Sequence, residues 1–448
     1  MMDKSKLKAI VFSTTFLFLA AQMPSCAETD LDAPEGGHDR AIIKQGERLD
    51  LRRCIETALA RQPGVTVAAN NVYSSMNKVF QAQSSYYPQV EATGGYSRTD
   101  TASSTATLSR AYDQYKGSVG LKQNLYDFGK TAEAIKAREI NLGSSRFDLE
   151  NAKNQTAFNV KKAYYNALQA GKNKIVAEEA VKQFEQHLVQ AKGFYEVGVK
   201  PKYDVTSAEV ALSEAKVNLI KVKNSLKIAR LNLNNAMGAP DAPDFEIVDD
   251  EEATLRALKE YSVTLEGALA KAFANRPDLK SAVEKKRSAE RGVELARKGY
   301  YPYLSGAAAY NWSGESFPLD NGWSAGASIT IPIFSGFLTK YQVAESKADL
   351  GAARANAELL RQSVSFEVQQ SYFNLKEAEE RIPAAELSVK KAAENLDLAN
   401  ARYSTGVGNP VETTDASVAY SNAKLAYGQA LSDYNIAQAF LVLAVGGR

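Results

Sequence analysis

Apolar residues recur along four stretches of this chain at alternating steps of three and four. The first carries Val160, Ala163, Ala167, Ala170, Ala177, Val181, Phe184, Leu188, Ala191 and Tyr195, with Lys174 as its break. The next carries Ala208, Leu212, Ala215, Leu219, Val222, Leu226, Ala229, Leu233 and Ala236. The third carries Val368, Ser371, Leu375, Ala378, Ile382, Ala385, Val389, Ala392, Leu396, Ala399 and Tyr403. The fourth carries Ala416, Tyr420, Ala423, Tyr427, Ala430, Tyr434, Ala437, Leu441 and Ala444. This is coiled-coil spacing, and large residues alternate with small ones, so a knob on one helix fills the space beside an alanine on its neighbour. The pattern predicts a helix over 131–197, about 100 Å long. Helices over 63–85 and 203–237 would total about 87 Å if stacked end to end. One long rod beside two stacked shorter rods makes a layer of even height, which suits a tube and exceeds what a globular core needs. Pro383 should kink or split the second long helix.

Between the helices, four segments alternate with period two. Val90, Ala92, Gly94 and Tyr96 oppose Gln89, Glu91, Thr93 and Ser97; Val119, Leu121 and Leu125 oppose Ser118, Lys122 and Asn124. Leu304, Gly306, Ala308, Tyr310 and Trp312 oppose Ser305, Ala307 and Asn311; Ala325, Ala327, Ile329 and Ile331 oppose Ser324, Ser328 and Thr330. Strands of about ten residues suit a tilted crossing of a bilayer. Tyr86, Tyr87, Tyr96, Tyr112, Tyr115, Trp312, Phe317 and Trp323 lie near strand ends, where an interfacial aromatic girdle would sit. A small soluble sheet capping a helical bundle fits the strands equally. In lipid, four strands cannot close a barrel and open edges are not tolerated, so closure would need about eight strands from two copies or about twelve from three. Polar strand faces favour the wider, water-filled barrel and hence the trimer. The Ser/Thr-rich stretch within residues 98–112 reads as an extracellular loop.

The chain contains one plan twice. Leu51, Ala58, Leu59 and Pro63 correspond to Leu265, Ala272, Phe273 and Pro277, and Tyr86-Tyr87-Pro88 to Tyr300-Tyr301-Pro302. Tyr195, Gly198 and Val199 correspond to Tyr403, Gly406 and Val407, and Ser207-Ala208 to Asp415-Ala416. The domain reading is a signal peptide at 1–27, an N-terminal extension at 28–48, a first repeat at 49–238, an acidic linker at 239–261 and a second repeat at 262–448. Lys4, Lys6 and Lys8 precede the apolar stretch Ala9 to Ala21 and the small residues Ser25, Cys26 and Ala27, the pattern of a secretory signal cut after Ala27. A lipoprotein signal with Cys26 lipidated competes, although Met23-Pro24-Ser25 fits it poorly.

Cleavage after Ala27 removes three Lys and one Asp, leaving 51 basic and 51 acidic residues. That balance gives no footprint for nucleic acid. His38 and His187 are the only histidines, which leaves little for acid–base catalysis or a His-rich metal site. Cys54 reads as a buried apolar filler. No nucleophile–base pairing or metal spacing is visible, so an enzyme is disfavoured and no metal or cofactor is expected. A non-pore periplasmic coiled-coil scaffold is the alternative reading.

The ordered set resembles the TolC-like outer membrane efflux protein family. The carriers are Gln123-Asn124-Leu125-Tyr126-Asp127-Phe128-Gly129 and Ile331-Pro332-Ile333-Phe334-Ser335-Gly336, similar to the family's strand-to-helix junction. Phe194-Tyr195-Glu196-Val197-Gly198-Val199 and Arg402-Tyr403-Ser404-Thr405-Gly406-Val407 are similar to its helix–turn–helix tips. The resemblance implies a membrane α+β fold: a homotrimeric, 12-stranded β-barrel in outer-membrane lipid, continuous with a 12-helix periplasmic α-barrel. It implies a passive exit duct docked to a periplasmic adaptor and an inner-membrane pump of the RND or ABC type. It places Gly198, Val199, Gly406 and Val407 at the adaptor-docking turns, and Glu412 and Asp415 at an acidic periplasmic constriction. It makes Tyr403 and Asp204 a latching pair. A latching Arg of the family falls on Gly408, and Lys200 or Lys202 is placed to substitute for it.

Overall fold

The computed structural model describes residues 43–101, 110–249 and 264–447. The signal peptide, most of the N-terminal extension, residues 102–109 of the expected loop and residues 250–261 of the expected linker lie outside the described residues. The first repeat runs β1 (Arg48–Leu49), α1 (Leu51–Arg61), α2 (Pro63–Gln83), β2 (Gln89–Thr101), β3 (Arg110–Tyr126), α3 (Lys130–Glu196), α4 (Lys202–Ala236) and β4 (Glu246–Ile247). The second runs α5 (Leu265–Asn275), α6 (Pro277–Arg297), β5 (Tyr303–Gly314), β6 (Asp320–Thr330), α7 (Leu338–Ser404) and α8 (Pro410–Ala444).

Local chemistry sets the element ends. Asp50 caps α1 by accepting the Arg53 N–H at 2.8 Å, and Thr264 caps α5 through the Gly267 N–H at 3.2 Å. Pro63 and Pro277 occupy the first turns of α2 and α6, where a missing N–H costs nothing. Each long helix starts from a left-handed pair: Phe128 and Gly129 before α3, Gly336 and Phe337 before α7. The Asp127 carboxylate holds the first of these by accepting the N–H groups of Gly129 at 3.0 Å and Thr131 at 2.7 Å.

Both long helices have 67 residues, which is about 100 Å. The shorter rods do stack. Gln62, at the joint before α2, donates through Nε2 to the carbonyls of Asn235 and Ala236 at the end of α4, both at 3.2 Å. Gly238 has φ +68°, and a Cβ there would lie 2.9 Å from the Arg61 backbone, so only glycine lets the chain pass. In the second repeat Arg276 donates at 3.2 Å to the Ala444 carbonyl at the end of α8.

The seams bury as the heptads require. Val364, Val368, Leu375, Ala378 and Ile382 of α7 pack with Ala430, Leu431, Tyr434 and Leu441 of α8 and Ala268 and Ala272 of α5. Val160, Tyr164 and Ala167 of α3 pack with Cys54 and Ala58 of α1 and Leu233 of α4. Ile43, Leu49, Ala239 and Phe245 join that second core, and β1 pairs in parallel with β4, so residues 239–249 fold back on the start of the repeat. Helix α7 is not split at Pro383. The ring removes one ladder donor, but Ile382 is buried beside it and Arg381 bonds Asp433 of α8 at 2.7 Å, so tertiary contacts hold the turn. Near its C-terminus the α3 seam moves by one residue: His187 is buried and Leu188 only half-buried. A straight helix drifts against a strict seven-residue repeat, and the ring of Tyr403 receives the shifted face.

The four long strands form one antiparallel sheet in the order β2-β3-β5-β6, leaving β2 and β6 as edges. Register aligns Ala92, Val119, Tyr310 and Trp323 in one cross-strand row and Val90, Leu121, Ala308 and Ala325 in another. Thr93, Ser118, Asn311 and Gly322 form the row next to the first of these, on the opposite face, and Glu91, Gly120, Ala309 and Ser324 form the row between the two. One face is therefore apolar across all four strands and the other polar. Tyr303 and Trp312 lie nine residues apart on β5, about 30 Å along the strand. Residues 98–101 and 110–112, expected in a loop, are strand. Charged groups pair across this extension, with Arg98 3.7 Å from Asp113 and the Tyr96 hydroxyl donating to Asp113 at 2.9 Å.

Candidate functional site

The residues singled out by sequence gather where the two helix pairs turn. Helix α3 ends on Gly198, φ +77°, whose N–H bonds the Tyr195 carbonyl at 3.0 Å while the Val199 N–H bonds the Phe194 carbonyl at 2.9 Å. Helix α7 ends the same way: Gly406, φ +79°, bonds Tyr403, and Val407 bonds Arg402, both at 3.1 Å. These are glycine-closed helix C-termini with the orphan carbonyls satisfied. Val199 and Val407 project from them 59% and 75% exposed.

One side chain crosses between the turns. Lys200 donates from Nζ to the carbonyls of Gly406 at 3.3 Å and Gly408 at 3.1 Å, and its ammonium sits 5.7 Å from the Tyr403 ring centre. Lys202 is exposed. The backbone leaves no room for a side chain at position 408, since a Cβ on Gly408 would lie 2.6 Å from the Tyr403 nitrogen.

Behind the turns, Tyr403 and Asp204 are both buried, from α7 and α4. No direct hydrogen bond joins them: the Tyr403 hydroxyl and Asp204 Oδ2 each lack a hydrogen-bond partner among the described residues. Burial, and then the Asp204 charge, push the Tyr403 phenol above its usual range. The Tyr403 ring packs on His187 at 4.8 Å and edge-on to Phe194 at 5.7 Å between ring centres. Glu412 and Asp415 lie on the exposed side of the first turns of α8. Arg402 Nε stands 3.4 Å from Glu412, with both side chains more than half exposed. Asp415 has no ion pair among the described residues. Sequence reasoning missed His187, which it set aside as an isolated histidine. The signal was its spacing, three residues after Phe184 and four before Ala191.

Residues 54–239 and 268–447 match the family described as Outer membrane efflux protein. The chain belongs to that family. The two matched segments overlap the two structural repeats. The chain is similar to Toxin and drug export protein A of Aggregatibacter actinomycetemcomitans, 23% identical over 394 residues that span 87% of this chain and 84% of the relative. It is similar to Outer membrane protein TolC of Escherichia coli K12, 22% identical over 423 residues, 89% of this chain and 82% of that one. Its fold matches the crystal structure of the outer membrane protein VceC of Vibrio cholerae with a TM-score of 0.75 at 18% identity, covering 89% and 96% of the two chains. Members of this family are channels, and the protein is a component of the Gram-negative outer membrane that extends into the periplasm. Among the described residues no helix is long and apolar enough to cross a membrane.

Proposed function

We propose that three copies of this chain close a 12-stranded barrel in the outer membrane and a continuous 12-helix barrel in the periplasm, forming a passive exit duct for an efflux or type I secretion system. The observation that carries this reading is the four-stranded sheet itself. It has one apolar face, one polar face and two unpaired edges. Lipid tolerates no open edge, so each β2 must pair with a neighbour's β6, and three copies give a lumen wide enough for water. The helices support the same reading. Leu359, Phe366 and Phe373 leave an apolar stripe at seven-residue spacing on α7, and Tyr203, Val210 and Val217 leave one on α4, all exposed on the single chain. Such stripes are the material of contacts between copies.

Energy comes from an inner-membrane pump, of the RND or ABC type, joined through a periplasmic adaptor that docks on the turns at Gly198, Val199, Gly406 and Val407. The duct closes where the helix pairs converge and opens when the pairs near residues 195–210 and 403–416 untwist. Glu412 and Asp415 ring the narrow end, six carboxylates in the trimer, and raise the local concentration of cations. Arg402 partly neutralises Glu412, so Asp415 contributes the larger share of that field. No step requires a cofactor, a resident metal or nucleic acid.

Planar-bilayer recording tests this. The parent should form a cation-selective pore blocked by trivalent cations from the periplasmic side. Glu412→Ala with Asp415→Ala should remove the block and lower cation selectivity. A double variant blocked as tightly as the parent would show that the acidic ring lies elsewhere.

A further inference from the structure

At the level of the turns, four helices each bury a polar group that has no partner among the described residues. His187 of α3 has neither ring nitrogen partnered; Asp204 of α4, Tyr403 of α7 and Thr413 of α8 each bury an unpartnered oxygen. All four residues are 6% exposed or less. Buried polar groups are almost always bonded, so five such atoms near one end of the bundle mark a packing held by its surroundings rather than by its own contacts. Two of the residues belong to the first helix pair and two to the second.

We propose that His187 is a proton-operated release of the tip: uptake of a proton by its ring favours separation of the α3–α4 pair from the α7–α8 pair. This rests on the reading of the tip as a gate, and the test below separates the two. The physical cause is solvation. A neutral imidazole tolerates a dry site against the Tyr403 ring, whereas an imidazolium needs water or a partner. The groups facing it are few. Asp204 from α4 is the charge that acts on it, Tyr403 from α7 supplies a neutral ring, and Thr413 from α8 adds a neutral hydroxyl at the same end. On its own helix, Phe194 packs edge-on to Tyr403. Lys200, in the turn, faces Tyr403 and is held by the Gly406 and Gly408 carbonyls. The Arg402–Glu412 pair is exposed.

Burial lowers the affinity of His187 for a proton, and the Asp204 charge opposes this without overcoming it. Separating the pairs returns the ring to water and to its ordinary value near 6.5. The packed tip therefore keeps its full advantage above that value. The advantage is lost as pH falls from about 6.5 towards the lower packed value, about tenfold for each pH unit between the two.

The test uses the mature trimer in detergent with isotope-labelled histidine. His38 and His187 give two imidazole signals, and His187→Gln removes one. Hydrogen exchange of residues 195–210 and 400–415, corrected for intrinsic rates, is compared between about pH 7.5 and about pH 5. The parent should lose protection at both tips as the pH falls, the His187→Gln variant should not, and the mid-helix amides of both should be unchanged. Asp204→Asn removes the opposing charge and should move the His187 titration to lower pH, a result that stands even if His187→Gln fails to fold. Equal loss of protection in parent and His187→Gln overturns the proposal. So does increased protection at low pH, which would mean that an imidazolium–Asp204 pair tightens the tip. Should exchange follow the prediction while bilayer conductance ignores pH, the switch survives and the gate reading fails.

Discussion

Removing the ammonium group of Lys200 perturbs the joint between the two turns without touching either helix. Its two bonds, at 3.1 and 3.3 Å, run from a cation to backbone carbonyls of the other turn. A buried hydrogen bond to a charged group contributes about 1.5–3 kcal/mol. Lys200 is half-buried, so solvent screening reduces the pair to about 1–2 kcal/mol in total. Within the proposed duct, that is a factor of about 5–30 in the ratio of joined to separated tips. Lys200→Met keeps the length of the side chain and removes the charge. Single-channel recording should show its open probability raised by about that factor per protomer, with Lys200→Arg closer to the parent and the exposed Lys202→Met unchanged. A Lys200→Met channel that opens no more often than the parent would refute the reasoning, because the tether would then carry no free energy between the turns.

Two further outcomes follow from exposure and burial. Val199→Asp with Val407→Asp places charge on side chains that already face water, so the trimer should form normally; efflux in cells with the native adaptor should be abolished if the turns are the docking surface. Cys54 is fully buried, and burial pushes its thiol up to about 12. It stays protonated well above the ordinary thiol range, so the folded protein should not react with a thiol reagent at about pH 8 and should react stoichiometrically in guanidinium.

The long helices were legible because a coiled-coil seam repeats over many turns and each misplaced residue would expose an apolar face. The four strands were legible for a related reason: period two sets their facing. Their ends were not, since the extension of β2 and β3 past the apolar band is held by pairs such as Arg98 with Asp113, which carry no periodic signal. The absence of a split at Pro383 was not legible, because the local cost of the ring is visible in the sequence while the contact of Arg381 with Asp433, fifty-two residues away, is not. The glycine turns were legible because a helix C-terminus that closes on a left-handed residue favours glycine, and Lys200 was already a candidate partner across the tips. The cluster around His187 was hidden, because it is assembled from four helices and each member alone looks like an ordinary polar residue near a helix end.

The central claim is that the sheet of this chain closes only with two further copies. Light scattering of the detergent-purified mature protein, corrected for bound detergent, measures that directly. The particle should have about three times the mature chain mass and the far-UV spectrum of a largely helical protein. A monomer with that same spectrum would contradict the claim, because a folded chain with two open sheet edges could not be an outer-membrane barrel.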